Sequence, residues 1–361
     1  MIARRQRGWI GIDLGTQVVK IAQLERAGGR LRWSRTALER PEHPREAKGG
    51  ETPQWPIDSG PQIVDALRRQ GGFHGRAAAC ALPMSLTELR TLVLPPGDES
   101  EHRAMIAQEL EAVSGANDEP REFDFWEADA DAQREAIVQN AVHVMSIARS
   151  LVARLGVGFA RAGLECRVLD GLPCALARAV TLAQRSQRPE PVAAIDWGVA
   201  NATFCVVQGG RTQFIRTLRD CGAGALVAQV AQSLGLSPLE AGDVLRRFGL
   251  PEPCGATPGN DGIQEVVADV LAGHLRIVLE ELAKTLSYLR AQRSVLLPAR
   301  LWLFGGGAAI KNVAAFLAAK LEIPCDVWRL PGEEEPGGGQ SSISSELFGP
   351  AAALSALAWM S

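Results

Sequence analysis

Short apolar runs separated by glycine-containing turns open the chain. They lie at residues 9–14, 18–24 and 30–38. Runs of this length joined by tight turns predict an antiparallel meander of three strands. The segment 41–61 that follows is rich in proline, glycine and charge, and is predicted to be a surface loop. Helical spacing of apolar residues then predicts a helix at 62–69.

The middle of the first half changes character. Its apolar runs predict strands at 76–82, 86–94, 123–126 and 136–146. Amphipathic spacing predicts helices at 99–113 and 147–162, and a strand at 165–169 is predicted to return to the main body. We interpret 76–163 as a compact α+β subdomain inserted into the first half.

The opening arrangement recurs after a predicted helix at 173–183 and a polar hinge at 184–191. The second half contains predicted strands at 192–195, 202–207, 212–218 and 300–304, and predicted helices at 223–234, 238–248, 263–292, 310–321 and 351–359. A duplicated design of β-hairpin plus helix predicts two similar lobes around a cleft in an α/β fold. The predicted division is 1–75 with 164–190 for the first lobe, 76–163 for the insertion and 191–361 for the second lobe. The acidic run that begins at Glu333 is predicted to be a solvated loop.

Composition narrows the function classes. The chain has 361 residues, of which 46% are hydrophobic and 22% are charged, and a net charge of −3 gives no electrostatic reason to expect a nucleic-acid partner. Its seven cysteines include no Cys-x-x-Cys pair, which favours a reducing compartment. The basic start is followed too soon by Asp13 and Lys20 to be a secretion signal. A cytoplasmic location is therefore expected, and the five histidines show no metal-ligand spacing.

Two turns of the form Asp-x-Gly carry the candidate chemistry, one at Asp13 to Gly15 and one at Asp196 to Gly198. A glycine lets backbone amides approach a phosphate, and an aspartate can hold the water shell of Mg²⁺. Lys20, on the strand leaving the first turn, could reach a phosphate oxygen. A third copy, 220–222, precedes a helix instead of a strand.

A glycine run at 305–307 ends a predicted strand and precedes a predicted helix, where backbone can pack closely against a nucleoside. The order of two Asp-x-Gly hairpins and a later glycine run resembles the actin-like ATPase superfamily. That resemblance implies an actin-like (ribonuclease H-like) two-lobed fold. Each element also has a plainer interpretation: the two aspartates as turn caps, Lys20 as a solvated strand residue, and the glycine run as a simple turn.

Within that superfamily the chain is similar to the type IV pilus assembly protein PilM family over nearly its whole length. The matching stretches are 11–20, 79–83, 90–95, 108–111, 167–170 and 236–241. The resemblance implies Mg²⁺ near Asp13 and Asp196. It implies that ATP phosphates meet Gly15, Thr16, Lys20 and Gly198. It implies a nucleoside near Gly222, Gly224, Glu240, Arg247, Gly305 and Gly306.

The same resemblance implies a scaffold at the inner face of the inner membrane. Its partner would be the cytoplasmic N-terminal tail of a PilN-like inner-membrane protein, with pilus motor ATPases and self-association as further contacts. Where PilM relatives tend to carry an acid, this chain has Gly171-Leu172-Pro173, which predicts weak or absent ATP hydrolysis. Trp197 is bulky for a phosphate turn, and 328–331 replaces an expected Asn-Pro-Phe type segment.

Two other function classes share the fold. One is a scaffold of type II secretion or cell division, and the other is a sugar-kinase-like phosphotransferase. The second needs a catalytic aspartate beside an acceptor pocket, and the sequence offers no convincing candidate. The apolar segment 354–360 lacks basic residues and is predicted to pack in the core instead of targeting a membrane.

Overall fold

The structure is a computed structural model that describes residues 5–40, 60–113, 119–128, 140–184, 190–252, 262–333 and 344–360. Most of the predicted loop 41–61, residues 185–189 of the predicted hinge, and residues 334–343 beyond Glu333 lie outside these ranges. The predicted meander is present. The first elements are β1 (Gln6–Arg7), β2 (Ile10–Leu14), β3 (Val19–Ala27), β4 (Arg30–Glu39), α1 (Gly60–Gln70) and β5 (Ala77–Leu82).

The inserted subdomain has a small sheet of its own. Its elements are β6 (Glu88–Leu94), α2 (Glu99–Val113), β7 (Arg121–Glu127) and β8 (Asn140–Ala148). The strands pair antiparallel in the order β6-β8-β7. The α2 residues Ile106 and Leu110 cover one face, packing on Val142 and Val144. Both faces of β8 are buried, because Val142 and Val144 lie under α2 whereas His143 and Ile147 are buried on the opposite face.

Three elements return the chain to the first lobe: α3 (Arg149–Arg161), β9 (Glu165–Gly171) and α4 (Leu172–Ala183). The first sheet has the order β1-β3-β2-β5-β9, with β4 paired to β3. β5 pairs parallel with both β2 and β9, and α3 packs into the core of this lobe through Leu151, Leu155 and Phe159. β5 and α3 therefore belong with the first sheet, although the predicted insertion 76–163 contained both. The division into lobes stays a prediction, and this pairing favours starting the insertion after residue 82.

The second lobe repeats the plan of the first. Its elements are β10 (Val192–Trp197), β11 (Ala202–Gln208), β12 (Arg211–Leu218), α5 (Ala223–Leu234), α6 (Pro238–Arg247), α7 (Gly262–Gln292), β13 (Leu301–Phe304), α8 (Val313–Leu321), β14 (Cys325–Val327) and α9 (Ser345–Ala356). The sheet order is β12-β11-β10-β13-β14, with β13 parallel to β10. The predicted helix at 310–321 is a short 3₁₀ helix, Gly306–Ala309, followed by α8. Neither β1 nor β14 was predicted.

Helices α4 and α9 lie between the two sheets and form the core that joins the lobes. This core contains Leu24 from β3, Leu176 from α4, Val192 from β10 and Ala352 from α9. α9 approaches β2 so closely that a Cβ at Gly11 would lie 1.9 Å from a carbonyl oxygen of α9. Glycine is therefore required there, because any side chain would force the backbones apart.

Two sets of polar contacts were not predicted. Glu333 was predicted to be solvated, but it accepts a hydrogen bond from the Trp33 indole at 2.6 Å and another from Ser345. That prediction was wrong for Glu333, because its carboxylate is hydrogen-bonded to a residue of β4 and to the first residue of α9. The insertion is also tied to the second lobe: Trp126 of β7 donates to a β12 carbonyl at 2.8 Å, and His143 of β8 does so at 3.1 Å.

Candidate nucleotide-binding cleft

A cleft of about 1040 Å³ opens between the two lobes. The turns that follow β2 and β10 contribute to its floor, and the 3₁₀ helix at Gly306 and helices α5 and α6 contribute to its walls. The volume suits a nucleotide-sized ligand, since small-molecule sites usually enclose about 300–1,000 Å³. The carboxyl ends of strands from both sheets thus meet at one site.

The first hairpin places an ion pair on the floor of the cleft. Asp13 of β2 and Lys20 of β3 are direct cross-strand partners. Directly paired residues project from the same face of a sheet, and Lys20 Nζ lies 2.7 Å from Asp13 Oδ2. Only 5% of the Asp13 side chain and 12% of the Lys20 side chain are exposed. The turn between the strands is closed by a hydrogen bond from the Gly15 amide to the Val18 carbonyl at 3.0 Å.

The second hairpin places Asp196 opposite this pair. Asp196 lies near the end of β10, between Thr203 of β11 and Phe304 of β13. Its Oδ1 atom is buried and has no hydrogen-bond partner among the described residues. A Cβ at Gly305, where φ is 82°, would lie 2.7 Å from that oxygen. The glycine therefore keeps open the space beside an unpaired carboxylate oxygen.

Burial and mutual charge shift the pKa values here. Burial raises the pKa of Asp196 to about 6, with a further rise from Asp13 and an opposing effect of Lys20. Burial alone would lower the pKa of Lys20, but attraction to Asp13 and Asp196 outweighs it and the net shift is upward. Two carboxylates thus face one ammonium, and this arrangement favours an additional cation over another anion at the floor.

These features fit a hydrated divalent cation and phosphates. The described residues include no group of three or more histidine, cysteine, aspartate or glutamate side chains that could enclose a metal. Mg²⁺ needs no such cage, because it retains several waters and is usually held by one or two carboxylates together with substrate phosphates. Asp13 and Asp196, which both line the floor, are the carboxylates that could hold such a hydrated ion.

The predicted site residues separate into two groups. Eight line the cleft: Asp13, Gly15, Thr16, Lys20, Asp196, Gly198, Gly224 and Gly306. Four do not: Gly222, Glu240, Arg247 and Gly305. Gly222 packs against the backbone after Gly198, where a Cβ would lie 2.2 Å from the Val199 carbonyl. Glu240 is exposed and forms a capping box with Ser237 at the start of α6.

An apolar end of the cleft lies between α5, α6 and the 3₁₀ helix. Val227, Leu245 and Ile310 line it, together with Leu239, whose exposure is 61%. Arg246 lines this end whereas the predicted Arg247 does not. Helical spacing could have distinguished them, because Leu239, Gly242 and Arg246 share one face at positions i, i+3 and i+7. Sequence reasoning selected the neighbouring residue and missed this face.

Trp197 does not obstruct the second phosphate turn. Its side chain is completely buried on the core side of β10, and its indole donates to the Cys221 carbonyl at 2.7 Å. Gly307 packs directly on this ring, since a Cβ there would lie 2.2 Å from the indole. Trp197 therefore packs against the glycine run from the core side and leaves the cleft open.

The wall beyond Asp13 is formed by residues that follow β5 and β9. Pro83, Met84, Ser85 and Leu172 line the cleft there. The nearest acid in sequence, Asp170, accepts hydrogen bonds from Arg178 and from the Gly171 amide and does not line the cleft. Leucine, methionine and proline cannot deprotonate or orient a water molecule, and the Ser85 hydroxyl can hydrogen-bond to water but is not a general base.

Two lobes of repeated topology, each ending a hairpin at the shared cleft with an aspartate, define an actin-like fold. The family described as type IV pilus assembly protein PilM matches residues 11–332, and the chain belongs to this family. None of the helices in the described ranges is both long and apolar enough to span a membrane.

Three solved structures resemble the chain to different degrees. One is described as the PilM-PilN type IV pilus biogenesis complex, with 20% identity, 97% of this chain and 98% of that chain covered, and a TM-score of 0.73. Ethanolamine utilization protein EutJ from Carboxydothermus hydrogenoformans has 16% identity, coverage of 97% and 90%, and a TM-score of 0.49. MreB 5 of Spiroplasma citri bound to AMPPNP has 12% identity, coverage of 90% and 92%, and a TM-score of 0.48. The last two are distant resemblances only.

Proposed function

We propose that this protein is an ATP-binding scaffold of type IV pilus assembly that binds Mg-ATP between its lobes. The observation that carries the proposal is the convergence of Asp13, Lys20 and Asp196 on the cleft floor, with one buried carboxylate oxygen left unpaired. An unpaired buried oxygen is costly unless a ligand satisfies it. Nucleotide binding would thus complete a site that is electrostatically unbalanced without its ligand.

Each residue has a role in this proposal. Asp13 and Asp196 would hold the hydration shell of Mg²⁺, and Lys20 would bind a phosphate oxygen as a point charge. Backbone amides near Gly15, Gly198 and Gly306 would cradle the phosphates, because no Cβ blocks their approach. The apolar residues between α5 and α6 would take the base. When bound, the metal would neutralise phosphate charge.

We expect binding without appreciable turnover. The wall of Pro83, Met84, Ser85 and Leu172 provides no general base, and Asp170 is held by Arg178. ATP would then act as a ligand that selects one arrangement of the lobes. Such a role suits a scaffold that docks the cytoplasmic tail of a PilN-like protein at the inner face of the inner membrane. A short peptide that folds into a groove is a common mode of docking.

Calorimetric titration with Mg-ATP tests the site. We expect the wild type to bind Mg-ATP, to bind ATP more weakly in EDTA, and to lose binding in Asp13→Ala and Asp196→Ala. Asp326→Ala, which removes an exposed carboxylate on β14 of the second lobe, is the matched control and should bind normally. Unchanged affinity in both cleft variants would contradict the proposed site.

Two further measurements test the scaffold role. Phosphate release should stay near the background rate with and without a panel of small acceptors, and acceptor-dependent ADP formation would instead support a sugar-kinase-like activity. Fluorescence anisotropy should detect binding of a labelled PilN-like tail peptide, with tighter binding in Mg-ATP. Equal peptide affinity with and without the nucleotide would show that ATP does not select the docking arrangement.

A further inference from the structure

The end of the first sheet that is remote from the cleft carries an unusual concentration of positive charge. Register places Arg7 of β1 opposite Glu25 of β3, and Glu25 opposite Arg32 of β4. Arg30 pairs with Ala27, two residues from Glu25, so it projects from the same side of the sheet. Arg5 Nη1 lies 3.8 Å from Glu25 Oε2, which brings a fourth arginine to this side.

We call Arg5, Arg7, Arg30 and Arg32 the arginine face. All four are exposed, and the side chain of Arg5 is 72% accessible. Glu25 is the one carboxylate of the paired strands on this face, and its side chain is only 17% accessible. The face therefore has an excess of about three positive charges on a chain whose formal net charge is −3. Its sign is opposite to that of the whole protein.

Within the described ranges, the helix nearest to these strands lies away from the arginine face. Helix α1 packs against β4 nearer its other end, where Ile63 and Ala66 meet Ala37 in the core. Leu31 and Trp33, which alternate with the arginines along β4, point to the opposite side and pack on the core between the lobes. The arginines are thus held on the extension of a sheet whose other side packs on the core through Leu31 and Trp33.

The strand register spreads these arginines over a broad patch. Adjacent strands lie about 4.8 Å apart, so Arg7 and Arg32, on either side of β3, are about 10 Å apart at the backbone. Arg30 and Arg32 are about 7 Å apart along β4. Charges spread at these distances can each meet a separate anion of an extended array.

We propose that the arginine face binds the anionic surface of a lipid bilayer. Several extended polyanions could match this face, and the choice of a bilayer rests on the proposed function. A scaffold docked to an inner-membrane protein lies close to a lipid bilayer. Basic residues near an anionic membrane attract it at short range and in a salt-dependent manner. The face lies about 17 Å from Lys20 along β3, so contact with lipid leaves the cleft open to nucleotide.

Flotation of the purified full chain with vesicles tests this proposal without a partner protein. We expect binding to vesicles that contain phosphatidylglycerol, loss of that binding at high salt, and none to vesicles of phosphatidylcholine alone. The variant Arg7→Gln/Arg30→Gln/Arg32→Gln should bind about 100-fold more weakly. The matched control Arg276→Gln/Arg290→Gln/Lys320→Gln removes three exposed cations from the second lobe and should bind as the wild type does.

Other outcomes overturn the proposal. If the wild type does not bind anionic vesicles at low salt, the proposal is wrong, whether or not the variants fold. Equal losses in the two triple variants would show that total charge acts and not this face. Arginine-dependent binding of duplex DNA without vesicle binding would assign the face to nucleic acid. Mg-ATP affinity, measured on the same preparations, tests the proposed function separately, since a failed vesicle assay leaves the cleft result unchanged.

Discussion

Replacing Asp196 by asparagine should make the stability of the nucleotide-free protein less sensitive to pH. The folded-state pKa of Asp196 is raised from 3.8 to about 6 by burial. A raised pKa means that folding favours the protonated carboxyl. The associated stability is therefore complete below the unfolded pKa and is lost as the pH rises through the folded value. Asparagine has no proton to lose and avoids this loss.

The size of the effect follows from the shift. A rise from 3.8 to about 6 corresponds to about 3 kcal/mol at full ionisation, since one pH unit is worth 1.36 kcal/mol. Part of this loss of stability occurs below about pH 5, as the carboxyl of the unfolded chain ionises. Between about pH 5 and about pH 8 the remaining change is about 1.4 kcal/mol. The unfolding free energy of Asp196→Asn, relative to the wild type, should increase by about this amount over that range.

Urea unfolding in EDTA, followed by tryptophan fluorescence, measures the difference. The buried indoles of Trp197 and Trp328 provide the signal. Asp326→Asn is the control, because it makes the same replacement at a carboxylate that is 48% exposed and lies outside the cleft. A difference between wild type and Asp196→Asn that stays constant from mild acid to mild alkali would refute the reasoning.

Three further substitutions test the packing of α9 on β2, the hydrogen bond between the insertion and the second lobe, and the cleft. Gly11→Ala should destabilise the fold by about 1–3 kcal/mol in thermal or urea unfolding, because its Cβ would lie 1.9 Å from a carbonyl of α9. Gly156→Ala, which meets nothing within 4 Å, should not destabilise it. Trp126→Phe removes the donor to the β12 carbonyl and should speed hydrogen exchange in β7 and β8 relative to the rest of the chain. Arg246→Ala should weaken Mg-ATP binding in calorimetry whereas Arg247→Ala should not, and equal effects would contradict the assigned helix face.

Local pattern was sufficient for the two hairpins and for the residues at their turns. Asp13 and Asp196 each end an apolar strand and precede a glycine turn, so their chemistry and placement follow from neighbouring residues. Glu333 shows where this reasoning fails. Its acidic neighbours in sequence predict a solvated loop, but its partners Trp33 and Ser345 come from distant elements.

The boundary of the insertion, which stays a prediction, also depends on long-range contacts. β5 pairs parallel with β2 and β9, and long connections separate these strands in sequence. The pattern of residues within β5 does not show which strands lie beside it. The choice between Arg246 and Arg247 depends on a different property. Both arginines lie on α6, and only the angular position around the helix axis decides which one reaches the cleft.

The contact between α9 and the first hairpin has a consequence for the order of folding. The Ser355 hydroxyl accepts from the Leu24 amide at 2.9 Å and donates to the Trp9 carbonyl at 2.6 Å. These groups are more than 300 residues apart in sequence. During synthesis the face of the first sheet that α9 covers therefore stays uncovered until α9 has been made. Such long-range closure slows folding and leaves apolar strand surface exposed on the ribosome, where chaperones would bind it.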